Sequence, residues 1–221
     1  MEQTRKLSDI NFTFFLWCFG LPVFSFIIAL SLIASFSGAP SGISITVHNL
    51  KQFLEYYDTY LFREFFEIFF NNYFAVLILV YFTPLFVGMR RLWQKWSNKH
   101  TEITAFEKLV LYLFPGLFLV RQAVNIAVIS SGLSGYINKN VIITLAGIVL
   151  PHGLPELLAF SIAGAIGMEV TRKILFSSSS GKLVSGNVLI LLCLFTALCA
   201  FMEVYFTPKI FALLMMATGM S

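Results

Sequence analysis

Apolar residues in this chain fall into five long runs that are separated by short polar segments. A helix that crosses a membrane needs about 20 mostly apolar residues, and each run is close to that length or longer. The runs are Phe12–Phe36, Phe70–Met89, Leu109–Ser131, Val141–Met168 and Val188–Tyr205. The pattern predicts an all-α, polytopic membrane helix bundle with about five transmembrane helices, in a single domain over residues 1–221.

Two further segments differ from these runs. From Val47 to Phe65, apolar residues recur with a period near 3.6 while charged residues take the other face, which predicts an outer amphipathic helix. It either lies at the membrane interface or presents a docking groove to a partner. The apolar tail Ile210–Met220 is too short to cross, so we expect it to lie along the outer surface or to fold back.

Composition agrees with a membrane protein: 58% of the residues are hydrophobic and 12% are charged, and the mean hydropathy is +0.83. The net charge of +4 does not indicate nucleic acid, because the basic residues alternate with the runs. Those expected on one side are Arg5, Lys6, Arg90, Arg91, Lys95, Lys99, Arg172, Lys173 and Lys182. The positive-inside rule therefore predicts a multi-pass protein of the cell membrane, with the N-terminus cytoplasmic and the C-terminus outside.

The first run has no obvious small-residue cleavage site and is longer than a signal-peptide core, which predicts a retained helix. The three cysteines, Cys18, Cys193 and Cys199, all lie inside apolar runs without a CxxC spacing. We expect them to be packing residues and not metal ligands or disulfides.

The fourth run is interrupted by Leu150–Glu156, which contains Pro151, Gly153 and Pro155. Non-helical backbone survives in hydrocarbon only where protein or water covers it. We expect a broken helix here, with the true crossing running from about Pro155 to Arg172. After the bend, small residues repeat at helical spacing and form a helix-packing face: Ala159, Ala163, Gly164 and Gly167.

The third run carries Arg121 and Asn125, which are four residues apart and share a helix face. An unpaired arginine at this depth costs several kcal/mol, about 2.5 to 3.5 on insertion scales. The acids available inside the runs are Glu156 and Glu203. We therefore expect a buried ion pair or triad, with Arg121 against Glu156.

The expected bend places His152 and Glu156 at a depth similar to Asn71, Asn72 and Glu203. A histidine and a carboxylate four apart are compatible with a divalent metal, but they make only half a site. We expect a hydrogen-bonded polar pocket with no metal and no cofactor. The chain contains no GxSxG, GxxxxGK[ST] or GxGxxG motif, so serine nucleophile chemistry and nucleotide hydrolysis have no support.

Three segments resemble the recurrent motifs of the stage II sporulation protein M family. They are an asparagine pair, a PHG-x-x-E-x-x-A stretch that leads into small residues, and a late E-x-x-x-T-P: Ile68–Asn72, Leu150–Gly167 and Met202–Pro208. The likeness covers most of the chain after about residue 60. It departs at Leu113–Gly116 and Arg121, where the family usually has Asn-Gly.

The resemblance implies a bacterial or archaeal polytopic membrane protein. Its sporulation members act as scaffolds that tether cell-wall hydrolases during engulfment. With the positions that match the family, the predicted polar pocket comprises Asn71, Asn72, Arg121, Asn125, His152, Gly153, Glu156, Glu203 and Thr207.

Three functions fit these observations. The first is a non-enzymatic scaffold or assembly subunit whose partners are membrane lipids and other membrane or cell-envelope proteins, with a homo-oligomer through the small-residue face as a further option. The second is a transport subunit in which the polar pocket lines a substrate path. The third is an intramembrane metal-dependent hydrolase that uses His152, Glu156 and Glu203.

Overall fold

A computed structural model describes residues 11–36, 47–98, 101–136, 147, 150–176 and 184–217. These residues form helices and short connections, with no strand among them. The helices are α1 (Phe12–Phe36), α2 (Val47–Ser97), α3 (Ala105–Tyr136), α4 (Leu150–Phe176), α5 (Gly186–Phe201), a π-helical segment (Met202–Phe206) and α6 (Thr207–Ala217). The predicted all-α bundle is confirmed.

The described chain contains 5 helices that are long and apolar enough to cross a membrane, as the five apolar runs predict. The segments are Phe12–Leu32, Leu61–Ser97, Ala105–Val128, Gly153–Phe176 and Gly186–Leu214. Their large side chains are exposed on the outside of the bundle, among them Phe24, Phe74, Leu117 and Leu194. An apolar exterior of this kind faces lipid.

Helix α4 is the centre of the bundle. It contacts α1, α2, α3 and α5. In its most apolar 18-residue stretch 56% of the residues are buried, against 33% or less in the corresponding stretch of each of the other four spans. The core residues that meet here include Cys18, Leu79, Leu119 and Ala163, all nearly inaccessible. The polar interruption of the fourth apolar run therefore belongs to the helix that the others surround.

Helix α2 joins two elements that the sequence pattern separates. The amphipathic segment and the second span form one 51-residue helix without a non-helical residue. At 1.5 Å per residue it is about 76 Å long, more than twice the roughly 30 Å of a hydrocarbon layer. The amphipathic segment is therefore not a helix separate from the second span. No turn residue lies between Phe65 and Phe70 to end one helix and start another. The side chains of residues 47–60 lie outside the described part of the structure.

The C-terminal segment also continues a span. Helix α5 passes through the π-helical segment into α6 without leaving helical geometry, so the apolar run extends from Gly186 to Leu214. The described part of the tail neither folds back nor starts a separate surface helix. The π-helical segment admits one extra residue per turn without breaking the helix.

Basic residues collect at one end of the bundle, which we call the basic end. They lie at the end of α2, the start of α3 and the end of α4: Arg90, Arg91, Lys95, Lys108, Arg172 and Lys173. Arg90 joins α2 to the next segment, because its guanidinium bonds Glu107 and the carbonyl oxygen of Glu102. Clustering at one end agrees with the charge pattern of the sequence; which side of the membrane this end faces stays a prediction.

Candidate functional site

The candidate site is a cluster of Asn72, Glu156 and Glu203, which we call the carboxylate cluster. The Asn72 side-chain amide and the Glu203 carboxyl both lie close enough to the Glu156 carboxyl to interact with it electrostatically. All three side chains are partly buried. The three residues come from α2, α4 and the π-helical segment, so the cluster joins distant parts of the chain.

The helix lengths explain why these residues meet. Counted from the basic end, Asn72 lies about 27 Å along α2 from Arg90, and Glu156 lies about 24 Å along α4 from Arg172. The π-helical segment contacts both α2 and α4, which brings Glu203 to the same level. The sequence prediction that these polar residues share a depth is consistent with this placement.

The π-helical segment has a specific local bond. The hydroxyl of Thr207 donates to the carbonyl oxygen of Met202, five residues earlier, at 3.2 Å. Thr207 is buried, and Val204 between them is 1% exposed. Thr207 therefore stabilises the wide turn that carries Glu203. π-Helical turns of this type often occur at functional sites.

The predicted break at Leu150–Glu156 is wrong for the described backbone. Residue Leu150 is the first residue of α4, and Pro151, Gly153 and Pro155 all have helical geometry. Pro151 sits in the first turn, where a missing N–H leaves no intrahelical acceptor unpaired. Pro155 removes only one bond near the helix start. From Leu150 onward the predicted interruption is therefore part of one continuous helix.

Two predicted pocket residues are placed differently from Glu156. Asn71 is exposed next to the partly buried Asn72. Gly153 lies one turn before Glu156 and is partly buried. The side chain of His152 lies outside the described part of the structure, so its expected place beside Glu156 stays a prediction.

The predicted ion pair between Arg121 and Glu156 is wrong. Every fourth residue of α3 from Leu111 through Leu119 to Ala127 is buried, and the opposite stripe, which includes Arg121 and Asn125, is exposed. Within the described chain, the ion pairs do not include Arg121. Arg121 lies about 20 Å along α3 from Lys108, so its depth is close to that of Glu156, but it points out of the bundle.

The small-residue face of α4 packs within the chain. Ala159 and Ala163 are buried. A Cβ atom on Gly164 would lie 3.0 Å from Cys18 Sγ, and one on Gly167 would overlap the carbonyl oxygen of Leu79. At Gly164 and Gly167, α4 therefore lies close to Cys18 of α1, Leu119 of α3 and Leu79 of α2. An oligomer through this face would require α4 to leave these neighbours.

Several polar contacts on α4 have no counterpart in the sequence predictions. Ser161 donates to the carbonyl oxygen of Cys18 at 3.1 Å, and the hydroxyls of Thr83 and Thr171 are 2.6 Å apart. Glu169 accepts two hydrogen bonds from Arg172, at 2.6 and 2.9 Å. Single hydroxyls in apolar runs give no distinctive pattern. The i,i+3 spacing of Glu169 and Arg172 was a usable signal.

The carboxylate cluster contains groups that hold protons or cations. Two carboxyl groups and an amide oxygen are hard oxygen ligands. Within the described residues there is no group of three His, Cys, Asp and Glu side chains arranged to hold a metal ion. The cluster as described offers oxygen atoms to a proton or a cation, and the hydrolase hypothesis depends on His152.

No model of a known protein family, no curated protein and no solved structure matches this chain. The resemblance to the stage II sporulation protein M family therefore stays a prediction from the motifs. What the chain itself establishes is a multi-pass helical membrane protein with a carboxylate cluster on its central helix and an arginine on its exterior.

Proposed function

We propose that this protein is a non-enzymatic assembly subunit that holds another membrane protein against α3. One observation carries the proposal: Arg121 and Asn125 are exposed on one stripe of a membrane-spanning helix, about 20 Å from the level of Lys108. A charged side chain inside a membrane nearly always faces protein or water. The stripe therefore fits a surface that another protein covers.

The chemistry of the stripe defines the partner. Around Arg121 the exposed residues Leu113 and Leu117 are apolar, so the partner surface is an apolar transmembrane helix. It would carry one Asp or Glu at the depth of Arg121 and a hydrogen-bonding group for Asn125. An ion pair of this kind offsets the roughly 2.5 to 3.5 kcal/mol that an arginine costs at the centre of a spanning helix.

A second copy of this chain fits the stripe less well. Two copies related by a two-fold axis along α3 would bring the same patch together. Arg121 of each copy would then face a like charge in a medium of low dielectric constant, which is unfavourable. The resemblance to the stage II sporulation protein M family supports the same class of function, because the sporulation members of that family are membrane scaffolds.

Site-specific photo-crosslinking in intact cells tests the proposal. A photoreactive residue replaces Leu117, which is 58% exposed, one turn from Arg121. We expect one discrete crosslinked product that contains a different membrane protein with an acidic residue in a transmembrane segment. Arg121→Leu should remove at least four fifths of the product. Arg121→Glu combined with an acid-to-arginine change in the partner should restore it.

Two controls separate this surface from lipid-facing ones. The same photoreactive residue at Leu194 of α5, which is 62% exposed, should give no discrete product. Lys95→Leu removes a charge elsewhere and should leave the Leu117 product unchanged. A product that survives Arg121→Leu at full yield, or that contains only this chain, would overturn the proposal.

A second candidate function is proton or cation transport through the bundle, and the carboxylate cluster favours it. Carboxyl groups of Glu156 and Glu203 lie together with Asn72 in the spanning region, which is where proton relays and coupling-ion sites of transporters occur. Purified protein in vesicles with an imposed pH or sodium gradient tests it. Flux that Glu156→Gln abolishes and Glu102→Gln leaves intact supports transport; equal flux in wild type and Glu156→Gln rejects it.

A further inference from the structure

A groove lies at the basic end between the start of α3 and the end of α4. Its volume is about 420 Å³. The lining consists of Ala105, Lys108, Leu109, Tyr112, Arg172 and Phe176. Leu109 and Phe176 are 54% and 65% exposed, so the apolar part of the groove is open to the surroundings of the bundle. The groove is separate from both the carboxylate cluster and the Arg121 stripe.

Two cations stand on the rim of this groove. Lys108 forms no ion pair with any carboxylate among the described residues. Arg172 is held in place by Glu169, but its side chain remains 54% exposed. Its Nε and Nη2 bond Glu169, and the Nη1 hydrogens have no partner in those bonds. The rim therefore presents an ammonium group and a fixed guanidinium to an anion.

A polar cavity of about 350 Å³ adjoins the groove and shares Lys108 with it. Its other polar lining residues include Arg91, Gln94 and Thr101. Arg90 also lines the cavity, but Glu107 and the carbonyl oxygens of Thr101 and Glu102 occupy its guanidinium. Arg91 and Lys108 are therefore the cations available to a ligand that extends from the groove.

Aromatic side chains place this end at the edge of the membrane. Trp93 and Trp96 at the end of α2 and Phe106 at the start of α3 are 68%, 89% and 74% exposed. Tryptophan concentrates at the level of lipid headgroups. The rim cations thus lie where lipid phosphates lie, and the apolar lining, which continues one turn along α3 to Tyr112, lies where acyl chains begin.

We propose that this groove binds an anionic glycerophospholipid. Lys108 and Arg172 hold its phosphate, and one acyl chain lies along Leu109, Tyr112 and Phe176. Basic pockets between transmembrane helices are a recognised form of site for anionic lipid headgroups. The adjoining cavity gives a further expectation: a lipid with a second phosphate reaches Arg91 and binds more tightly than one with a single phosphate.

Native mass spectrometry of delipidated protein in detergent tests this proposal. The probes are phosphatidylglycerol, cardiolipin, phosphatidylcholine and inorganic phosphate. We expect cardiolipin to bind best, phosphatidylglycerol next, and both at least fivefold more tightly than phosphatidylcholine. Lys108→Gln should weaken phosphatidylglycerol binding at least fivefold, whereas Lys95→Gln, an equal charge loss outside both cavities, should change it less than twofold.

A second pair of variants tests the acyl-chain part of the groove. Leu109→Trp fills the groove and should weaken phosphatidylglycerol binding, while Leu113→Trp, one turn further along α3, should not. Inorganic phosphate that binds as tightly as phosphatidylglycerol would show a phosphate site without a lipid and overturn the proposal. Equal binding of phosphatidylcholine, or equal effects of Lys108→Gln and Lys95→Gln, would do the same.

Discussion

At Gly167 the backbone of α4 lies against the backbone of α2, where a Cβ atom would overlap the carbonyl oxygen of Leu79. A main-chain atom cannot move aside as a flexible side chain does. The contact continues to Thr171, whose hydroxyl bonds the Gly167 carbonyl oxygen at 2.8 Å and meets Thr83 from α2. Close approach and a hydroxyl pair thus hold α2 against α4.

Replacing Gly167 with alanine should lower stability by about 1 to 3 kcal/mol, the usual range for overpacking a well-packed core. The measurement is the thermal unfolding midpoint in detergent, followed by circular dichroism. Gly88→Ala is the matched control in α2, because nothing lies within 4 Å of its added Cβ atom. An unfolding midpoint that Gly167→Ala leaves level with that of Gly88→Ala would contradict the packing described.

The Thr83 and Thr171 hydroxyls should show a measurable coupling. A double-mutant cycle of Thr83→Val, Thr171→Val and the double variant should give an interaction energy of about 0.6 kcal/mol, the average for hydrogen bonds between membrane helices. The free energy of unfolding is measured in mixed micelles. Additive effects within error would mean that the 2.6 Å contact contributes nothing specific.

The sequence patterns predicted the depth of a residue along its helix better than the side of the helix on which it lies. The depths of Asn72, Glu156 and Glu203 follow from counting residues, and these three meet. The direction of Arg121 does not follow, because both faces of α3 are apolar: Leu119 faces the core and Leu117 faces outward. In a soluble helix the polar face marks the exterior, and that contrast is missing here.

At the scale of elements, α3 begins with a reciprocal cap that also connects to α2. The backbone N–H and hydroxyl of Thr104 donate to Glu107 at 2.7 and 2.9 Å, and the Glu107 N–H donates to the Thr104 hydroxyl at 3.2 Å. This S/T-x-x-E arrangement satisfies donors at the helix start. Because Glu107 also pairs with Arg90, one carboxylate fixes both helix ends.

Thr104→Ala should destabilise the protein by about 1 kcal/mol, the typical loss of an N-cap side chain. Glu107→Ala should cost more, since it removes the cap partner and leaves Arg90 without its carboxylate. Thermal unfolding in detergent measures both. Glu102→Ala is the control, because Glu102 uses only its main-chain oxygen to bond Arg90; an equal loss in all three variants would refute the assignment.

The start of α4 and the length of α2 were not predictable from proline, glycine and other turn-forming residues alone. Prolines and a glycine at Leu150–Glu156 indicated an interruption, but Pro151 lies in the first turn of α4, where proline is accommodated, and Pro155 removes only one backbone bond. Between Phe65 and Phe70 no turn residue occurs, yet the change from an amphipathic to an apolar pattern suggested two elements. Periodicity reports what surrounds a helix and not where it ends.

For the whole molecule, the number of spans followed from the sequence. Hydrocarbon requires every backbone group to be paired within the crossing segment, so run length alone gave five helices. The arrangement of the other helices around α4 did not follow. A small residue such as Gly164 permits a close helix contact, but which helix makes that contact depends on the three-dimensional fit.

Orientation in the membrane is testable at this scale. If the basic end is cytoplasmic, a cysteine that replaces Lys95 should react with a membrane-impermeant thiol reagent only after the cells are permeabilised. A cysteine that replaces Arg63, whose side chain is 75% exposed near the other end of the second span, should react in intact cells. The reverse labelling pattern would invert the predicted topology.

Helix α2 has a mechanical consequence. A helix of 51 residues without a non-helical residue passes the whole hydrocarbon layer and continues beyond it, with Asn72 and Arg90 on the same continuous helix. A torque applied to the projecting segment would be transmitted as rotation or tilt to the carboxylate cluster and to the Arg90–Glu107 ion pair at the basic end. Such a movement needs no rearrangement of loops, because α2 would turn about its backbone contact between Leu79 and Gly167.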